Sequence, residues 1–116
     1  MLKMLSYLVK REDMTTDEFI EYYENRHVPL ILSLAPAPVV YKRRYLMRGD
    51  TLNVSEADVD FDVVTEQVFG DRAEFQSWIT AVTTGEAGER VASDEARFLD
   101  RSRTRACVVS ECVTSG

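Results

Sequence analysis

The order of hydrophobic periodicities constrains this chain more than any single motif in it. Residues 2–10, 39–48, 61–69 and 102–113 read as strands. One helical stretch, 14–31, follows the first strand, and a second, 71–82, follows the third. A short extra helix is expected ahead of the last strand. The order β-α-β-β-α-β is the ferredoxin-like arrangement of the α+β class: a four-stranded antiparallel sheet with the helices on one face. In the first strand Met4 and Leu8 share one parity, while Leu5, Tyr7 and Val9 share the other. The last strand is likewise apolar on both parities, so the sheet face away from the helices also needs cover. A second copy of the sheet would supply it, so a homodimer is expected. At 116 residues a single core is feasible without disulfides or metal, and one domain spanning 1–116 is expected.

The stretch 14–31 carries the most chemistry. Thr15 suits a helix N-cap, Glu18 stands three residues on to complete a capping box, and Met14 and Phe19 are placed as a hydrophobic staple. Asp17 and Glu18 put negative charge at the positive end of the helix dipole. At about 100° per residue, Phe19, Ile20, Tyr23, His27, Leu30 and Ile31 form one stripe, with Glu21, Glu24 and Asn25 opposite. The only histidine in the chain therefore lies in the buried stripe. Pro29 disfavours helical geometry at Val28, so the regular helix is expected to end at or just after His27 and a short turn to restart at Pro29. An imidazole so placed is either a core residue bonded to a backbone carbonyl or an acid–base group beside a pocket. The pattern leaves both open.

On the second strand Tyr41, Arg43, Tyr45 and Met47 share a face. Aromatics interleaved with positive charge can bind a planar anion or an oxygenated aromatic, or can simply face solvent. Residues 49–60 read as an acidic surface loop. Asp62 and Glu66 are expected to face solvent. Asp71 is a second N-cap with Glu74 at its third position. Phe75, Trp78, Ile79 and Val82 make the apolar stripe that follows. Ser93 is expected to cap the short helix carrying Ala96, Phe98 and Leu99.

A net charge of −6 argues against nucleic acid and anionic membrane surfaces as partners. No apolar run approaches the ~20 residues of a membrane span, and no signal-peptide pattern is visible. Cys107 and Cys112 fall on opposite parities of the last strand, which suits reduced thiols in a cytoplasmic protein and gives no zinc site. Phosphate-binding Gly loops and nucleophile elbows are absent from the sequence.

Two motifs carry a resemblance: Met14-Thr15-Thr16-Asp17-Glu18-Phe19 leading to His27-Val28-Pro29-Leu30, and Ser93-Asp94-Glu95-Ala96-Arg97-Phe98-Leu99-Asp100 before the last strand. With the first strand, they make the chain similar to the EthD family of the dimeric α/β-barrel superfamily. The resemblance implies a protomer whose sheet pairs with a second one to enclose a barrel, with a small pocket between sheet and helices. The family's histidine maps onto His27, and its acidic pair onto Asp94 and Glu95. Relatives in the superfamily include cofactor-free polyketide dehydratases, decarboxylases and cyclases, lactone isomerases, quinone-forming monooxygenases and haem-degrading enzymes. This chain departs from those that use a histidine pair, because it has no second histidine. One histidine near a helix end is also a thin basis for haem ligation.

The expected function is that of a small enzyme of secondary metabolism that needs no metal or cofactor. It would act by acid–base chemistry on a hydrophobic, polyketide-like or aromatic molecule, by dehydration, cyclisation, decarboxylation or isomerisation (a lyase or isomerase). His27 would move the proton, and Asp94 would orient its imidazole or only cap the short helix. Tyr23, Tyr41, Arg43, Tyr45, Trp78 and Phe98 are the candidate substrate contacts. Two alternatives stand beside this: an oxidoreductase of the quinone-forming type, and a non-catalytic dimeric ligand-binding accessory protein.

Overall fold

The computed structural model describes residues 1–116. Strands β1 (Leu2–Leu8), β2 (Val40–Tyr45), β3 (Val63–Phe69) and β4 (Arg105–Val109) form one antiparallel sheet in the order β2-β3-β1-β4. β1 pairs with β3 from Leu2 opposite Phe69 to Leu8 opposite Val63, and with β4 from Lys3 opposite Val109 to Tyr7 opposite Arg105. This is the ferredoxin-like topology. β4 is shorter than the expected 102–113, because residues Arg101–Arg103 form a 3-10 turn and the chain leaves the ladder after Val109.

The first helical stretch begins as expected. Thr15 accepts from the Glu18 amide at 3.1 Å and the Glu18 carboxylate accepts from the Thr15 amide at 2.9 Å. It does not end at His27. Helix α1 (Thr16–Tyr22) passes through a π-turn (Tyr23–His27) into helix α2 (Val28–Leu34). The Val28 amide bonds back to the Tyr23 carbonyl, five residues earlier. Pro29 has no N–H to give and its ring crowds the preceding turn, and the widened π-turn lets the helix continue past it.

Helix α3 (Arg72–Thr83) is capped by Asp71, which accepts from the Glu74 amide at 2.8 Å. The expected short helix is replaced by a longer one, α4 (Gly85–Glu95). Ser93 lies inside it and caps nothing, and Ala96, Phe98 and Leu99 lie beyond its end. Two glycines hide this helix from propensity, and both serve the turn between α3 and α4. Gly85 has φ +62°, and a Cβ on Gly88 would stand 2.5 Å from the Thr83 carbonyl carbon. After α4 the chain runs beside the segment that follows β1: the Arg11 amide donates to the Phe98 carbonyl at 3.1 Å and the Asp100 amide to the Val9 carbonyl at 2.8 Å.

The helices pack on the sheet face that carries Leu8 and Val63. There Phe19, Tyr23, Val28, Phe98 and Leu99 complete the main buried cluster, and Ile31, Val82 and Val91 form a second. On the opposite face, Glu66 departs from the solvent exposure expected of it: it is 4 % exposed. Its register places it between Lys42 on β2 and Leu5 on β1. Arg44, Lys3 and Lys42 approach its carboxylate at 3.1, 3.5 and 3.9 Å. A covered charge is tolerable because it is paired. Asp62 is also partly covered and accepts from the Lys10 amide at 2.8 Å. Both cysteines are free and exposed. No helix is long and apolar enough to cross a membrane.

Candidate functional site

Between the sheet and the helices lies a cavity of about 330 Å³. Its walls are mainly apolar, with Met4 and Leu8 from β1, Ile31 from α2, Ile79 and Val82 from α3, and Val91 from α4. A few polar groups converge on it, among them His27, Glu95, Tyr23 and Tyr41. An apolar enclosure with sparse, placed polar groups is the usual form of a small-molecule site.

The π-turn sets the position of His27 at the end of the widened coil. Its ring is 5 % exposed and is held by Phe98 and Tyr23, whose centroids lie 4.9 and 5.5 Å from its own. Nδ1 stands 2.9 Å from Asp94 Oδ2, and Tyr22 donates to Asp94 Oδ1 at 2.5 Å. A carboxylate beside Nδ1 assigns the ring hydrogen to that nitrogen, which leaves Nε2 as the basic one. Nε2 has no protein partner. Asp94 itself lies outside the cavity, behind the ring, and orients it.

Glu95 closes α4 and does line the cavity. Burial pushes its carboxyl above the ordinary value of 4.5, against the opposing pull of His27 and Arg101. Burial also raises the Tyr23 and Tyr41 phenols above their ordinary value of 10.0. Both therefore stay protonated and can donate hydrogen bonds to an oxyanion. The Tyr23 hydroxyl lies 2.7 Å from Thr65 Oγ1 on β3.

Of the candidate residues, the structure brings His27, Tyr23, Tyr41 and Trp78 onto one cavity wall system. Phe98, 0 % exposed, packs beneath the imidazole and does not reach the cavity. Arg43 and Tyr45 are held elsewhere. The Arg43 guanidinium donates to the two Glu24 oxygens at 2.9 and 2.6 Å, and the Tyr45 hydroxyl donates to the same carboxylate. Two charged residues on the cavity wall were not among the candidate site residues, Glu95 and Arg101. Glu95 belongs to the acidic pair of the second motif, but its facing depended on the course of α4. Arg101 stands in no motif. The Trp78 indole N–H is buried without an acceptor, and nothing in the structure accounts for it.

A family model described as EthD domain matches residues 11–102. No curated protein matches the chain. Among solved structures, an ethyl tert-butyl ether (EthD) family protein from Bacillus halodurans is 21 % identical, with a TM-score of 0.63 over 97 % of this chain and 100 % of its own. HapK from Hahella chejuensis is 15 % identical, with a TM-score of 0.61 over 100 % of this chain and 96 % of its own. A dimeric ferredoxin-like protein from Thermobifida fusca is 12 % identical, with a TM-score of 0.51 over 95 % and 90 %. At these identities the likeness to solved structures concerns the fold.

Proposed function

We propose, for a chain that belongs to the EthD family, that it is a small enzyme whose own side chains perform acid–base chemistry on a hydrophobic oxygenated compound. The observation that carries this reading is the oriented imidazole: His27, fixed through Nδ1 by Asp94, on the wall of an apolar cavity that also holds Glu95. The two groups stand on one cavity wall, so a base and an acid can reach the same small molecule.

In a substrate with a C–H beside a carbonyl, His27 Nε2 accepts the proton. The O–H groups of Tyr23 and Tyr41 donate to the oxygen that becomes negative. Glu95, in its neutral form, gives a proton to a departing hydroxyl, which leaves as water, or to the oxygen of a second carbonyl attacked by the new carbon nucleophile. The first course is a dehydration and the second a cyclisation. Each positioned proton transfer is worth about 10²–10⁴-fold in rate. The substrate class in view is polyketide-like or aromatic, of a size set by the cavity.

The sheet face away from the helices supports a homodimer as the working assembly. Leu5, Tyr7 and Val64 on that face are only partly covered within one chain. The Thermobifida fusca neighbour, described as dimeric, has the same fold.

The test is turnover of a panel of β-hydroxyketones and poly-β-ketone mimics by the wild-type chain and by His27→Ala. Loss of turnover in the variant, with its melting temperature retained, supports the acid–base role. Unchanged turnover in His27→Ala removes it.

A further inference from the structure

Resting on the reading above, we infer that Arg101 is an anion-holding subsite at the cavity mouth, and that the substrate is a largely apolar compound bearing a carboxylate. Arg101 is the only lysine or arginine that lines the cavity. Together with Glu95 and Thr104 it also borders a shallow surface depression, completed by Ser102. These three shared residues mark where the cavity meets solvent.

The backbone that carries this guanidinium is held, while most of its donors are free. Its turn is fixed by the bond from the Thr104 amide to the Arg101 carbonyl at 3.2 Å and by the Asp100 amide on Val9. Its side chain is 52 % exposed, and its one charged neighbour is Glu95, with Nε 3.5 Å from Oε1. At that distance the contact engages Nε at most, and the terminal guanidinium N–H groups have no acceptor within the protein. Arg43 and Arg48, by contrast, spend their donors on Glu24 and on four backbone carbonyls. The Thr104 hydroxyl beside Arg101 is likewise without a partner. A planar guanidinium with open donors, at the edge of an apolar cavity, matches a carboxylate in charge and in geometry.

Such a group would also prepare the acid. A carboxylate seated on Arg101 draws the cation from Glu95 and brings a negative charge near that buried carboxyl, so one of the groups that oppose the effect of burial is withdrawn. The neutral, proton-donating form of Glu95 is then favoured while substrate is in place.

The test uses the full chain and two probes of one shape, 2-naphthoate and 2-naphthamide, by calorimetry at neutral pH. Wild type is expected to hold the carboxylate about tenfold tighter than the amide, as charge-assisted hydrogen bonds do. Arg101→Gln should bring the ratio to about one, and Arg101→Lys should keep part of it. His27→Asn should keep the full ratio, so the subsite stands even where the acid–base reading fails. A wild type that holds the two probes equally, or holds neither, overturns the proposal. So does a preference that survives in Arg101→Gln of unchanged melting temperature.

Discussion

His27 Nδ1 and Asp94 Oδ2 lie 2.9 Å apart, 67 residues apart in the chain, and join the π-turn to the last turn of α4. The second Asp94 oxygen takes the Tyr22 hydroxyl at 2.5 Å. One carboxylate thus ties two helical segments and sets the tautomer of a ring that faces the cavity, while staying out of the cavity itself.

Asp94→Asn should therefore damage catalysis far more than folding. The asparagine amide can donate to Nδ1 and shift the ring hydrogen to Nε2, where the base is needed. A fall in kcat of about 10²–10⁴-fold with little change in KM is expected, as for other oriented imidazoles. Steady-state kinetics on a substrate found with wild type, beside a thermal melt of the variant, checks both halves. A large melting loss with kcat intact would show a purely structural pair.

Phe98 tests the support beneath the ring. It is fully buried, stacks on Tyr22 at 5.1 Å, and packs at a tilt against Tyr23 at 5.3 Å and His27 at 4.9 Å. Phe98→Ala leaves a hole in the centre of the main cluster and should cost about 3–5 kcal/mol in urea unfolding. A cost under ~1 kcal/mol would mean that the neighbouring rings collapse into the space.

Two glutamates should shape the acid limb of stability in opposite senses. Burial raises Glu95 above 4.5, so its contribution is fully present below 4.5 and is lost as pH rises through the raised value. Glu95→Gln should then raise the melting temperature near neutrality and change little in acid. The Arg43 fork holds Glu24 below 4.5, so its contribution is present above 4.5 and is lost as pH falls through the lowered value. Glu24→Gln should lower the melting temperature near neutrality, and the gap should close in acid. Melts of the three proteins over the acid-to-neutral range decide it; curves that stay parallel contradict both assignments.

The sheet order was legible because strand and helix periods alternate cleanly, and the starts of α1 and α3 because Thr15 and Asp71 have their partners three residues on. The course of α4 was hidden by Gly85 and Gly88, which weaken helix propensity yet are needed where α3 turns back. With that helix misplaced, the facing of Glu95 could not be deduced. Glu24 belonged to the polar stripe of its helix, and nothing local says that it reaches β2 to occupy Arg43 and Tyr45. Glu66 reads as a surface carboxylate by alternation; only the pairing of β2, β3 and β1 collects three cations around it. In each case the missing information is tertiary.

The open face of the sheet yields the last expectation. β1 runs between β3 and β4, and Leu5 stands at its middle, opposite Glu66 on one side and Cys107 on the other. Were a second sheet to cover this face, Leu5 would be buried near the centre of the contact. Removing a leucine from such a place costs about 1.5–3 kcal/mol, and a lysine in its stead adds charge beside Lys3, Lys42 and Arg44. The wild-type chain should scatter light as a dimer at micromolar concentration, and Leu5→Lys as a monomer of unchanged circular dichroism. If wild type is already a monomer at such concentrations, the apolar side chains of this face must be tolerated in water, and the cavity must work within a single chain.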